Sequence, residues 1–511
     1  MLLIHDMLAK SAQNQPDKEA IVFQERRISF SELEKTSTRI ADFLQSHGVT
    51  KGMRVAVFSS KCADEVAVIF GIAKAGCILV HINPSFRDEK LHHVIEECEP
   101  AAFFFHQNKE AAVERAKQAG ILPSLLICMA PRVGRKVPPP THTLEAILKN
   151  PDRTKQSCIP VASRDEDIAA ILYTSGTTAS AKGITVTHGI LSDATLVSAQ
   201  VLGNVSTDRI ISLTPFSFDG ALSQLFTAIL VGGTLVLQDS HFPKDILKTL
   251  IDEKITGVHA MPSFWLMMLE RYPSLTDHEF PNLRYVSLIG EVFPQDKLAK
   301  LKRTFHTSDF FMMYGTTEAF RSTCLAPADF DEKMPSVGQP LPGVEITIVD
   351  EHGRPCPAGD VGEIVHKGVF VSPGYWKRDD NETFREGGVY TGDLGMLDED
   401  GYLYFVGRKD SMIKRMGFQV YPEEVEACLQ GINGIATAVV VCMPDVGGGY
   451  QLRAFLVREQ DSDVTLETVQ KHCKRNLPHY MMPDSMTFRS SMPQTGTCKI
   501  DRAQLKMEAS L

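Results

Sequence analysis

The sequence predicts an α/β protein: a large N-terminal domain of α/β layers plus a β-rich subdomain, with a small α+β C-terminal domain. Three observations carry this reading. Apolar strand-like runs alternate with amphipathic segments to about Gly338, the βαβ pattern of buried parallel sheets. From Gly343 the texture turns to short strands separated by turns, as in VEITIVDEHGRP, GEIVHKG and GYLYFVGRKD. After Asp410 a compact α+β pattern begins, which places the domains at 1–409 and 410–511.

The elements follow in order. Ser31-Glu32-Leu33-Glu34 reads as a capping box, with Leu33, Ile40, Phe43 and Leu44 on one helical face and Gly48 as the stop. Arg54–Ser60 reads as a strand, 62–76 as a helix and Cys77–Pro84 as the next strand. Ala101–Phe105 and Ser124–Met129 continue the sheet, and Pro131–Thr141, with three consecutive prolines, reads as a surface connector. The alternation resumes at Asp167. In the last domain VYPEEVEACLQ and LETVQKHCKRNL read as helices, ATAVVVCM and LRAFLVRE as strands. No repeat of 20–50 residues or low-complexity tract is evident.

Composition narrows the class. The 511 residues carry a net charge of −10, with 23% charged and 43% hydrophobic residues. Such a chain buries a large core, which excludes dominant disorder. The acidic balance without a Lys/Arg run disfavours nucleic acid as a partner. Eleven dispersed cysteines without a CxxC fit a reducing compartment better than a disulfide scaffold or a zinc site. The N-terminus lacks a signal-peptide pattern, and the run Leu225–Leu237 is too short to span a bilayer, so a cytoplasmic protein with no membrane partner is expected.

The strongest local signal is Ile171–Gly183, ILYTSGTTASAKG. A buried strand runs into small and hydroxyl residues and then Lys182. Small residues let backbone N–H groups approach an anion, hydroxyls add donors, and the lysine adds charge. It is not a Walker A loop, because Ala181 and Gly183 stand where Gly and Ser or Thr are required. Taken by itself it also reads as a polar turn after a strand.

The loop resembles the phosphate loop of the adenylate-forming superfamily: acyl-CoA synthetases, nonribosomal-peptide adenylation domains and luciferase. Further similar motifs follow in the family's order: Ser287–Glu291 (SLIGE), Tyr314–Ala319 (YGTTEA), Tyr390–Gly395 (YTGDLG), Gly407–Glu426, Leu477–Pro483 (LPHYMMP) and Thr495–Arg502 (TGTCKIDR). The resemblance spans essentially the whole chain and implies ATP-dependent activation of a carboxylate to an acyl-adenylate, with Mg²⁺ and pyrophosphate release, then transfer to a thiol. It implies that Thr174, Ser175, Gly176, Thr177, Thr178 and Lys182 hold the β- and γ-phosphates. Thr317 would meet the α-phosphate, and Glu318 would bind Mg²⁺ as a hard oxygen donor for a hard cation. Asp393, an acceptor-only carboxylate, would take the ribose hydroxyls, reinforced by Arg408. Gly290, Glu291 and the Tyr314 ring would frame the adenine, with Gly315 and Thr316 beside it.

Lys499 matches the family's mobile catalytic lysine, which bridges the substrate carboxylate and the α-phosphate. Asp410 matches the hinge on which a mobile C-terminal domain rotates between half-reactions, withdrawing Lys499 and bringing in the Lys414–Gly417 loop along the thiol path. Three departures stand out: Ala179 and Ala181 in the phosphate loop, Met312 in place of an Asn before the Tyr-Gly, and Cys498 where Gly is usual.

The acid is read from Pro215–Phe226. Phe218-Asp219 resembles the amino-acid activators, in which the Asp pairs with a substrate ammonium; the other reading makes Asp219 a helix N-cap. An ungapped match floors a small pocket with Gly220, Ser223, Ser287, Ile289, Met313, Arg321 and Ser322, which suits an amino acid such as proline or alanine. Arg321 reads as a structural residue paired with an acid elsewhere, or as the binder of a second acid group. The expected acceptor is the phosphopantetheine of a separate carrier protein, with an acyl-CoA ligase acting on CoA as the alternative.

Overall fold

A computed structural model describes residues 2–130, 142–149, 161–174, 181–289, 293, 295–380, 382–409, 411, 413–415, 418–444, 450–494 and 500–509. Two large sheets form the N-terminal part. The seven-stranded one runs His142–Thr143, Leu125–Met129, Ala102–His106, Arg54–Phe58, Ile78–Ile82, Ile168–Thr174, Lys182–Thr187. Its pairs are parallel except the last. The nine-stranded sheet carries a parallel centre from Glu19–Phe23 through Thr234–Leu237, Arg209–Ser212, Gly257–Ala260 and Tyr285–Ile289 to Asp309–Tyr314. Thr323–Leu325 and Gln339–Pro340 then add antiparallel strands at one edge.

Apolar residues of both sheets close on the helices Ala63–Lys74 and Asp219–Leu230, which are apolar nearly all round and therefore buried between layers. Phe70 and Phe226 meet there edge to face, 5.9 Å apart. Lys61 ties the sheets together beyond their strand ends, donating to the Ser212 carbonyl at 2.8 Å and the Thr214 carbonyl at 2.6 Å. A crevice beyond the carboxyl ends of parallel strands is where α/β sheets bind ligands.

The change of texture at Gly343 corresponds to a five-stranded antiparallel sheet whose centre is Gly362–Gly368 and Gly388–Leu397, with Leu403–Arg408 paired to the latter. In the last part, the strands Ile435–Pro444, Tyr450–Arg458 and Ser485–Arg489 pack against the helices Pro422–Gln430 and Leu466–Asn476.

One expected detail is corrected. The helix Phe30–Ser46 is capped by Ser29, whose Oγ accepts from the Glu32 N–H at 3.2 Å, so the start lies before Ser31. The connector 131–141 lies outside the described residues. No described helix is long and apolar enough to cross a membrane.

Candidate active site

The strand Ile168–Thr174 returns as Lys182–Thr187, with Thr174 opposite Lys182 across the pair. That register puts Lys182 at the start of the returning strand. Ser175, Gly176, Thr177 and Thr178 lie outside the described residues, and Thr174 is described in its backbone alone. Gly183 has a packing reason: a Cβ there would lie 2.8 Å from Ile171 and from the Tyr173 ring.

Lys182 Nζ sits 3.1 Å from Asp380 and 4.6 Å from the centre of the Tyr375 ring. The Tyr375 hydroxyl donates to Glu318 Oε1 at 2.9 Å. One segment holds all of these groups together. The Ser372 N–H donates to the Glu318 carbonyl at 2.9 Å, the Ser372 hydroxyl to the Thr185 carbonyl at 2.7 Å, and the Trp376 N–H to the Gly183 carbonyl at 2.7 Å. Sequence reasoning names Lys182 and Glu318 but misses Tyr375 and Asp380, for which the Pro373-Gly374 turn is the only local signal.

On the other side, Tyr314 ends the strand Asp309–Tyr314 and donates its hydroxyl to Asp393 Oδ2 at 2.6 Å. Asp393 is 5% exposed, and its Oδ1 accepts from Arg408 at 2.7 Å. These two residues are strand partners, so backbone register places the charge pair. Burial, and next the Asp393 charge, push the Tyr314 phenol well above its ordinary range, which keeps it a donor. Between Tyr314 and the next strand, Gly315, Thr316, Thr317 and Glu318 are all half-buried. The Thr316 hydroxyl is sealed from solvent without a hydrogen-bond partner. An orphaned donor in this loop and a buried acceptor carboxylate beside it fit a nucleotide.

A small cavity lies between the helix Asp219–Leu230 and the nine-stranded sheet. Ser223, Met313 and Arg321 line it together with Ser198, Gln224, Thr227, His259 and Tyr285. Gly257 makes room for Tyr285, whose ring a Cβ at 257 would strike at 2.3 Å. Ser287 reaches the pocket through His259, its hydroxyl 3.0 Å from Nδ1, and a Cβ at Gly220 would lie 3.4 Å from His259 Nε2. Ser322 does not belong to this lining: its hydroxyl lies 2.9 Å from His366 Nδ1. Ile289 is half-buried at its strand end and is not among the lining residues. His259 escapes sequence reasoning, because a lone histidine in an apolar strand reads as core; its polarity within GVHA is the only clue.

Two expectations about charge are corrected. The N-cap is Phe218, and Asp219 is the first helical residue, its Oδ1 accepting from the Gly220 N–H at 2.7 Å. Among the described residues Arg321 has no acid paired with it: it is 3% exposed, and its Nε has no hydrogen-bond partner. Burial lowers its pKa, while the charge of nearby Asp219 acts to raise it. His259 falls to about 3, first by burial and then by the Arg321 charge, so it is neutral at ordinary pH. Gly290, Glu291, Asp410, Gly417 and Lys499 lie outside the described residues, as does the Lys414 side chain.

Comparison with known proteins bears on this arrangement. Residues 8–376 match the family model "AMP-binding enzyme", and 424–499 match "AMP-binding enzyme C-terminal domain". Tyrocidine synthase 3 of Brevibacillus parabrevis is 27% identical over 98% of this chain, which spans 8% of that protein's length. A long-chain-fatty-acid–CoA ligase of Bacillus subtilis is 26% identical over 99% of this chain and 94% of its own. The o-succinylbenzoate CoA synthetase of Bacillus subtilis, solved with its acyl-adenylate intermediate, superimposes with a TM-score of 0.84 at 26% identity, covering 98% of this chain and 97% of that one. The chain therefore belongs to the AMP-binding enzyme family.

Proposed function

We propose that the chain joins a small amino acid to AMP at the expense of ATP and hands the aminoacyl group to the pantetheine thiol of a separate carrier protein. The corner in which Tyr314, Asp393 and Arg408 meet carries the nucleotide half of this reading. A carboxylate has about four lone-pair sites, so Asp393 keeps acceptor capacity for the ribose hydroxyls while its protein donors hold it in place. Thr316, with Gly315, Gly290 and Glu291, flanks the base, and the engaged Tyr314 hydroxyl fixes the ring that the adenine would stack on. Lys182 and the 174–178 loop take the terminal phosphates, and Thr317 the α-phosphate.

Glu318 would hold Mg²⁺, which supplies screening of the triphosphate when bound; Tyr375 orients that carboxylate. Asp219 takes the substrate ammonium next to Phe218. Lys499 neutralises the charge that develops between carboxylate and α-phosphate. Domain rotation at Asp410 then presents Lys414 and Gly417 to the incoming thiol.

Hydroxylamine trapping over a panel of acids tests adenylate formation without knowledge of the acceptor. Lys499→Ala should lower it by roughly 10²–10³-fold, while thiol transfer from a preformed adenylate survives. Equal damage to both half-reactions would sink this account. CoA is a second reading of the acceptor, favoured by the near full-length match to the Bacillus subtilis CoA ligase. Parallel assays with CoA and a pantetheinylated carrier separate the two.

A further inference from the structure

The acid pocket carries more unanswered polarity than an uncharged side chain would satisfy. Arg321 lines it and finds no carboxylate: among the described residues its guanidinium makes no ion pair and no hydrogen bond, and Nε is sealed from solvent. Beside it, His259 Nε2 has no partner, although Nδ1 meets Ser287 at 3.0 Å. Gln224 Oε1 and Thr227 Oγ1 are buried without partners in the same cavity.

A guanidinium stays charged at any working pH, and burying one without a counter-charge is strongly unfavourable. Proteins rarely leave several buried polar groups unmatched around one cavity unless a ligand supplies the matches. Asp219 does not serve as the missing partner, since no ion pair joins the two and its Oδ1 is engaged by the Gly220 N–H. An aliphatic chain in the pocket would complete the desolvation of Arg321 and return nothing, so the same charge rejects plain fatty acids.

We propose that the acid activated here carries a second, distal carboxylate, which Arg321 grips inside the cavity while His259 Nε2 donates a hydrogen bond beside it. The substrate is then a short dicarboxylic acid bearing the α-ammonium that Asp219 accepts. The proposal rests on the adenylation reading and narrows its substrate: Arg321 in the cavity lining complements a second acid group, which neither proline nor alanine carries, while Asp219, outside that lining, takes the ammonium.

The full-length protein with MgATP and hydroxylamine provides the test, run on aspartate, asparagine, succinate and succinamate, with alanine and butyrate as references. Aspartate should exceed asparagine, and succinate succinamate, by about 10²-fold or more in kcat/KM, the discrimination expected of a site built to pair a charge. Arg321→Met should bring both ratios to near unity, and Arg321→Lys should retain part of the preference. Because a variant could simply misfold, melting temperatures are read without substrate. Arg321→Met should keep or raise the wild-type value, since an unpaired buried charge is removed; a structural arginine predicts a fall. Succinate alone should stabilise the wild type and not the Met variant. Adenylates formed equally from aspartate and asparagine would overturn the second-carboxylate proposal and leave adenylation standing. Absence of adenylate from every acid would overturn the function itself, and this inference with it.

Discussion

The corner where Tyr314, Asp393 and Arg408 meet and the cavity lined by Arg321 and His259 lie on the same protein and are built in opposite ways. In the corner, charged and polar groups answer one another: Tyr314 and Arg408 each give Asp393 a hydrogen bond, and strand register fixes the pair. In the pocket, Arg321, His259, Gln224 and Thr227 each keep a buried polar atom unanswered. The difference teaches what kind of ligand each region awaits. A site for an invariant partner gains from holding its acceptor rigid through internal donors, because a carboxylate has lone pairs to spare. A site that selects among similar acids must leave its selecting groups free, since an internal partner would compete with the substrate.

The comparison is most exposed to Asp393→Ala. In the paired region truncation strands its neighbours: the buried Tyr314 hydroxyl loses its acceptor, whereas Arg408, with 47% of its side chain exposed, rehydrates. Loss of a hydrogen bond to a charged group, with one buried donor left over, should cost about 2–3 kcal/mol in stability. The same change removes the carboxylate proposed to accept the ribose hydroxyls, so kcat/KM for ATP should fall by about 10²-fold. Urea unfolding and an ATP titration measure the two effects. Unchanged stability would mean the corner is not internally braced, and the contrast with the acid pocket would collapse.

Thr316 sharpens the comparison, because it is an orphan two residues from Tyr314. Thr316→Val keeps the shape and removes a buried hydroxyl without a partner. Stability should hold or rise by up to about 1 kcal/mol, and ATP should bind about five-fold more weakly, the worth of one hydrogen bond. A clear loss of stability would show that the hydroxyl has an internal role, and orphan status would no longer mark ligand contacts.

The same division governs what the sequence made legible. The sheets were readable because buried parallel strands are near-continuous apolar runs, and the Arg54–Phe58, Ile78–Ile82 and Ala102–His106 strands lie within a residue or two of expectation. The residues proposed to hold the nucleotide could be named because they sit in ordered local motifs. Ser29 displaced Ser31 as the cap because cap choice depends on where the chain turns in, a tertiary matter. Tyr375, Asp380 and His259 escaped because their meaning comes from neighbours far away in sequence: Tyr375 matters through Glu318, and His259 through Arg321. Arg321 was visible, but the expected acid partner was not a sequence question; only packing could show that none arrives among the described residues.

The smallest effect predicted, and the most specific to the pocket, is one of pH. His259 titrates near 6.5 in an unfolded chain and at about 3 in the fold, held down by burial and then by Arg321. Between those values the unfolded state binds the extra proton, so stability rises with pH there and is lost as the solution is acidified. Above pH 6.5 both states are neutral and His259 contributes no slope. At pH 5.5 the penalty should be about 1 kcal/mol, superimposed on whatever the carboxylates contribute. His259→Gln removes only the histidine's share. Urea midpoints at pH 7.5 and 5.5 should therefore diverge more in the wild type than in the variant. Parallel losses would mean that the fold does not hold the His259 imidazole below its ordinary range. A bound dicarboxylate would offset the positive charge that depresses the imidazole, so saturating succinate should narrow the gap between the two proteins at pH 5.5. An orphaned pocket thus differs from a braced one in a way that titration can read: its sensitivity to acid diminishes when its ligand arrives.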